Sequence, residues 1–268
     1  MYEPHAGLPC EISDEVVIWR YLDFTKYVDL LTWQSLWFAR LNRLGDPFEG
    51  TYPAENHARF TRMAMQELEG LRDATKEERD HRFNVVKGSA GWTSRHNGFC
   101  TYVSCWHNNN YESAAMWKLY LKSDEGIAIR STTRRLVNCL AQCPERIFVS
   151  KVKYIDFGTE AIENDRGVWN ALDGIIHKRV SFAHEREVRA FMYKPELFAP
   201  AEEETTMNLE RSTPPGYSIG IDLSTLVESV YVSPTAADFF YELVKTVSAR
   251  FHLSAPINRS VLGEKPIM

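Results

Sequence analysis

The stretch FCTYVSCW, Phe99 to Trp106, decides how the rest of the chain is read. It is rich in β-branched and aromatic residues and has no clean polar alternation, so it reads as a strand buried on both faces. Gly98 ends a loop before it. NNNYES starts a helix after it, and residues 111–122 run helically with Met116, Leu119 and Tyr120 as apolar positions.

Upstream, VVIWRY (Val16 to Tyr21) reads as a strand, and Asp23 caps the amphipathic helix FTKYVDLLTW. SLWFAR (Ser35 to Arg40) is a second strand. LNRLGDPFEGTYP is a loop with turn chemistry at its G-D-P and E-G steps. Residues 54–90 form a helical insertion or lid, whose charged run KEERDHR is a solvated helix face.

Downstream, GIAIRS is a strand, and TTRRLVNCLAQC is a helix capped by Ser131 or Thr132. RIFVSKVKYIDF alternates as one long strand. Val168, Trp169, Leu172, Ile175, Ile176 and Val180 make a helical stripe over 166–181. EREVRAFMY (Glu185 to Tyr193) is a strand, and 196–216 is a Glu-, Thr- and Pro-rich loop expected to be mobile. YSIGIDL, ESVYVSP, a helix over 235–251 and a strand from Pro256 to Arg259 complete the chain. Many spacings are too short for right-handed crossovers, which points to an α+β fold in a single domain spanning 1–268.

The chain has 268 residues and a formal net charge of −5. That balance argues against a nucleic-acid backbone as partner, and leaves room for a small phosphorylated ligand held by one or two arginines. No stretch approaches the roughly 20 apolar residues of a membrane span. The polar, acidic start MYEPHAGLPCEISDE lacks the features of a signal peptide, so the cytoplasm is expected. The cysteines Cys10, Cys100, Cys105, Cys139 and Cys143 have neither the pairing of a disulfide framework nor the spacing of structural zinc, and no metal is expected.

Strand alternation then sorts the candidate residues by face. Val16, Ile18 and Arg20 share one, and an arginine ending an apolar face is either paired, snorkelling or binding something. Cys100, Tyr102, Ser104 and Trp106 share another, which is either a satisfied β core or a surface that stacks and orients a ring. Glu185, Glu187 and Arg189 share a third, which is either a solvated edge or a cleft wall where adjacent carboxylates perturb one another. His107 and His184 flank these strands, and either can be a base or structural. The serine-hydrolase elbow, P-loop, zinc-protease and dinucleotide-binding motifs are all missing.

The segments WRYLDFTKYVDLL, SLWFAR with RLGDPFEG, CTYVSCW with SAAMWKLY, GIAIRST, K with SFAHEREVRAF, and INRS together resemble an uncharacterised bacterial family, the domain-of-unknown-function family 2971. The likeness runs from Trp19 to Ser260. Its most specific parts are D-P-F-E-G, A-M-W-x-x-Y and E-x-E-x-R. Asp46, Glu49, Trp117, Tyr120 and Arg189 fall within these motifs, and Lys178 begins the segment that runs on to SFAHEREVRAF, all as structural or substrate-loop residues.

The order Arg20, Ser104, Glu185-x-Glu187 is also similar to the Arg–Ser–Glu arrangement of ADP-ribosyltransferases. That resemblance implies two small, mostly antiparallel sheets with NAD in the cleft between them. It assigns Arg20 to the NAD phosphates, with Tyr21 beside it, and Ser104 to the nicotinamide ribose. Tyr102 or Trp106 would stack on nicotinamide. Glu187 would stabilise the oxocarbenium-like transition state, and Glu185 would act on the incoming nucleophile. The chain departs from that family's Ser-Thr-Ser pattern with Val103-Ser104-Cys105.

The leading expectation is an NAD-consuming enzyme, a transferase or glycohydrolase, acting as an effector in a toxin or phage-defence setting. A non-catalytic ligand-binding or regulatory protein is the alternative. A metal-dependent phosphodiesterase or nuclease with Asp46, Glu49, Glu185 and Glu187 as oxygen ligands is a third.

Overall fold

The computed structural model describes residues 15–70, 75–120, 123–163, 172–197, 210 and 212–264. The elements in order are β1 (Val17–Asp23), α1 (Phe24–Trp33), β2 (Ser35–Arg40), α2 (Ala54–Gly70), α3 (Lys76–Cys100), β3 (Thr101–Asn108), α4 (Ala114–Tyr120), β4 (Gly126–Thr132) and α5 (Thr133–Leu140). There follow β5 (Ile147–Lys151), β6 (Lys153–Ile155), α6 (Asp173–Ile176), β7 (His177–Arg179), β8 (Glu187–Tyr193), β9 (Gly216–Gly220), α7 (Leu223–Leu226), β10 (Ser229–Val232), α8 (Asp238–Arg250) and β11 (Ile257–Arg259). The class is mixed α and β, with most strand pairs antiparallel.

Local chemistry explains several boundaries. Asp23 accepts a hydrogen bond from the Lys26 amide and starts α1. Thr132, rather than Ser131, caps α5 through the Arg135 amide. Thr75 and Glu78 form a reciprocal capping box at the head of α3.

Strands form one nine-stranded sheet and a separate two-stranded pair, β6 with β7. The path β11-β10-β4-β1-β3-β2-β9 runs through β3, with β8 and then β5 attached to the other side of β3. β3 is buried on both faces. On one side Tyr102 and Trp106 pack with Ile18, Val188 and Met192 against Leu31 of α1. On the other, Val103 packs with Leu41, Ile175 and Phe191. Further along that second face, Trp19, Tyr21 and Ala128 are covered by Met116 and Trp117 of α4.

Four expectations are corrected. Residues 91–100 continue α3 instead of forming a loop and a strand start, so the strand begins at Thr101. RIFVSKVKYIDF breaks at Val152, whose amide goes to the Glu187 carbonyl, and its halves join different sheets. The described part of 166–181 holds only one helical turn, α6, and then strand β7; Val168 and Trp169 lie outside the described residues. Glu185 ends a short 3-10 segment rather than starting β8. Most of the 196–216 loop lies outside the described residues, as does Cys10; the other four cysteines are free thiols. Among the described residues, no helix is long and apolar enough to cross a membrane.

Candidate functional site

The cleft begins as a parting in the large sheet. On one side β3 pairs continuously with β8, from Thr101↔Tyr193 to His107↔Glu187. On the other side it pairs with β1 only at Ile18↔Asn108 and Trp19↔His107. β2 takes over at Ala39↔Val103 and Arg40↔Tyr102. Among the described residues, nothing on this side pairs with Ser104, Cys105 or Trp106. β1 and β2 diverge there, and a cleft of about 530 Å³ opens between them. The single sheet therefore replaces the two sheets expected around a cleft: it splits locally instead.

The parting lets residues from both faces line one space. Arg20 and Trp106 come from the α1 face of the sheet, and Trp19, Tyr21, Cys105, His107 and Glu187 from the opposite face. Strand alternation puts Ser104 and Glu187 on opposite sides of the sheet, and the gap alone brings their neighbourhoods together. Trp37, Tyr120, Lys178 and Glu185 also line the walls, as do Lys26 and Asp29 of α1.

Arg20 donates to the Ser104 hydroxyl and, at 3.4 Å, to the Trp37 carbonyl. Its guanidinium lies 5.6 Å from the centre of the Trp106 ring. Among the described residues it forms no ion pair with a carboxylate, although Asp29, Glu185 and Glu187 line the same cleft. Burial lowers its pKa from the usual arginine value, yet a guanidinium remains protonated in proteins.

Across the cleft stands a buried ion network. Lys178 Nζ lies 2.6 Å from Glu185, 3.0 Å from Glu49 and 3.8 Å from Glu187. Arg189 reaches Glu187 at 2.7 Å, Glu49 at 3.0 Å and the Ile175 carbonyl at 2.6 Å. Three carboxylates face two cations, leaving one unit of negative charge. Burial pushes the Glu187 carboxyl up, but Arg189 and Lys178 outweigh it and hold it below the ordinary value, so it is ionised. Burial raises Glu185, against the pull of Lys178. Burial also raises the Cys105 thiol, which is therefore no ready nucleophile.

Other expected residues fall outside the cleft. Tyr102 is fully buried, its ring 4.6 Å from Tyr217 in the core, and it does not line the space. Ser104 is spent on Arg20. Asp46 pairs with Arg179 at 2.6 Å, and Trp117 donates to Glu112 at 3.0 Å beneath Tyr21. Both carboxylate oxygens of Asp46 and Glu49, and one each of Glu185 and Glu187, are already engaged by cations. Among the described residues, none of α2 or α3 lines the cleft.

Two contributors were not singled out from the sequence. Trp37 is 44% exposed while Leu36, Phe38 and Arg40 point inward. A large aromatic on the uncovered side of a strand is the signal that marks it. Trp19 lines the cleft from β1, its indole donating to the Asn109 carbonyl at 2.8 Å. Comparison with family models, curated proteins and solved structures finds no match.

Proposed function

We propose that the cleft binds NAD and that the chain is an NAD-consuming enzyme, either an ADP-ribosyltransferase or an NAD glycohydrolase. The carrying observation is Arg20, a cation at the parting of the sheet that has no ion-pair partner among the described residues. A diphosphate supplies the missing charge, and the planar guanidinium suits its geometry.

The roles differ from those first assigned. Ser104 holds Arg20 in place instead of meeting the ribose. Trp106 lies beneath the guanidinium, so ring stacking passes to Trp37 and Tyr120, which are 44% and 47% exposed. Tyr21 is anchored through its hydroxyl, which accepts from the Ser113 amide at 2.9 Å, and it supports the wall. Glu187 is the ionised carboxylate available to a positive ribosyl centre, and the net negative charge of its network favours that centre's formation.

Binding without chemistry is a second reading, favoured by one observation: Glu187 is already held by Arg189 and Lys178. Incubation with NAD, with and without cell extract, separates the two. The enzyme reading expects nicotinamide release by the wild type and its loss in a folded Glu187→Gln variant. Dependence on extract indicates a macromolecular acceptor. Binding of NAD without release supports the second reading; neither binding nor release removes both.

A further inference from the structure

His107 carries a feature that the roles above leave unused. Its Nδ1 lies 2.6 Å from the Glu185 carbonyl oxygen. A carbonyl only accepts, so Nδ1 carries the proton and donates it. That fixes the tautomer and leaves a lone pair on Nε2. The side chain is buried at 4% exposure, it lines the cleft, and Nε2 has no hydrogen-bond partner among the described residues. A buried acceptor with no partner is costly unless a ligand meets it.

The surroundings suit an acceptor of protons. His107 sits in register with Glu187 on the adjacent strand. Tyr21 lies edge-on with ring centres 6.3 Å apart. Burial, with Arg186 and His184 nearby, lowers the His107 pKa and keeps the ring neutral near pH 7. The Glu185 carboxylate, first assigned to the nucleophile, is clamped by Lys178 at 2.6 Å. Its backbone carbonyl instead orients the histidine.

Resting on the NAD reading, we propose that His107 Nε2 is the general base that deprotonates the incoming nucleophile, water or an acceptor hydroxyl. The bond between ribose and the nicotinamide nitrogen breaks, and its electron pair leaves on nicotinamide. The nucleophile's oxygen bonds to the ribosyl carbon, and its O–H proton passes to Nε2. The resulting imidazolium returns that proton to solvent.

His107→Asn tests the assignment, because asparagine keeps a donor near the Nδ1 position and removes the base. Nicotinamide release is followed against pH, and NAD affinity is measured by calorimetry. The expected result is a fall in kcat of about 10²–10⁴-fold with NAD affinity little changed. The rising acid limb of the wild-type profile, set below the ordinary histidine value, is also lost. Azide, which needs no deprotonation, restores turnover to His107→Asn but not to Glu187→Gln. If the variant keeps wild-type kcat, or keeps the acid limb, the assignment is overturned while the NAD reading stands. If the wild type releases no nicotinamide at any pH, both fall.

Discussion

His177 shows how a single buried side chain ties this fold to pH. It is 4% exposed, and its Nδ1 donates to the Asp173 carbonyl at 2.6 Å. Burial pushes its pKa down to about 4, with Lys153 adding to the effect. The unfolded chain therefore takes up the proton first as pH falls, from an ordinary value of about 6.5. The stabilisation is complete above that value and is lost progressively toward pH 4. Urea unfolding should show a loss of roughly 2 kcal/mol between pH 7 and pH 5 from this residue. His177→Asn should remove that part of the slope; equal slopes for both proteins would contradict it. At this scale the sequence was informative about residue types and less so about partners. Arg20 at the end of an apolar face was legible from alternation alone. The pairing of His107 with Glu185 was not, because it depends on Arg186 adopting φ 44° and turning the chain before β8.

The elements around the cleft owe their positions to close backbone approaches. Gly50 has φ +77° and closes the turn that carries Glu49. α6 lies against that turn so tightly that a Cβ on Gly174 would sit 2.7 Å from the Gly50 carbonyl oxygen. The nearest atom is backbone and does not yield easily, and the Asn97 side-chain nitrogen lies 3.1 Å away on the same side. Gly174→Ala should cost about 1–3 kcal/mol by displacing α6 from the Glu49 turn. A urea midpoint equal to that of the wild type would contradict this. Strands and caps written in local chemistry were legible, as β1, α1, β2 and β4 show. The errors share another cause. Leu172, Ile175 and Ile176 have helical spacing, but α6 ends after one turn and the chain enters β7. RIFVSKVKYIDF keeps its alternation while changing partners at Val152, and alternation carries no information about which strand lies alongside.

For the whole molecule, the decisive feature is the divergence of β1 and β2 along one side of β3. A continuous sheet would keep Arg20 and Glu187 on opposite faces, with no shared space. The divergence turns them into opposite walls of one cleft, positive on one side and net negative on the other. The α+β class was legible from interleaved elements with short connections. The split was not, because it lies in the pairing of distant segments rather than in any one of them. The most direct test is calorimetric titration of NAD into the wild type and into Arg20→Ala, each first shown to be folded. Loss of one charge-assisted contact predicts that the variant binds about tenfold to a hundredfold more weakly. Equal affinity in the two proteins, or no binding by the wild type, would contradict the claim that this cleft is an NAD site.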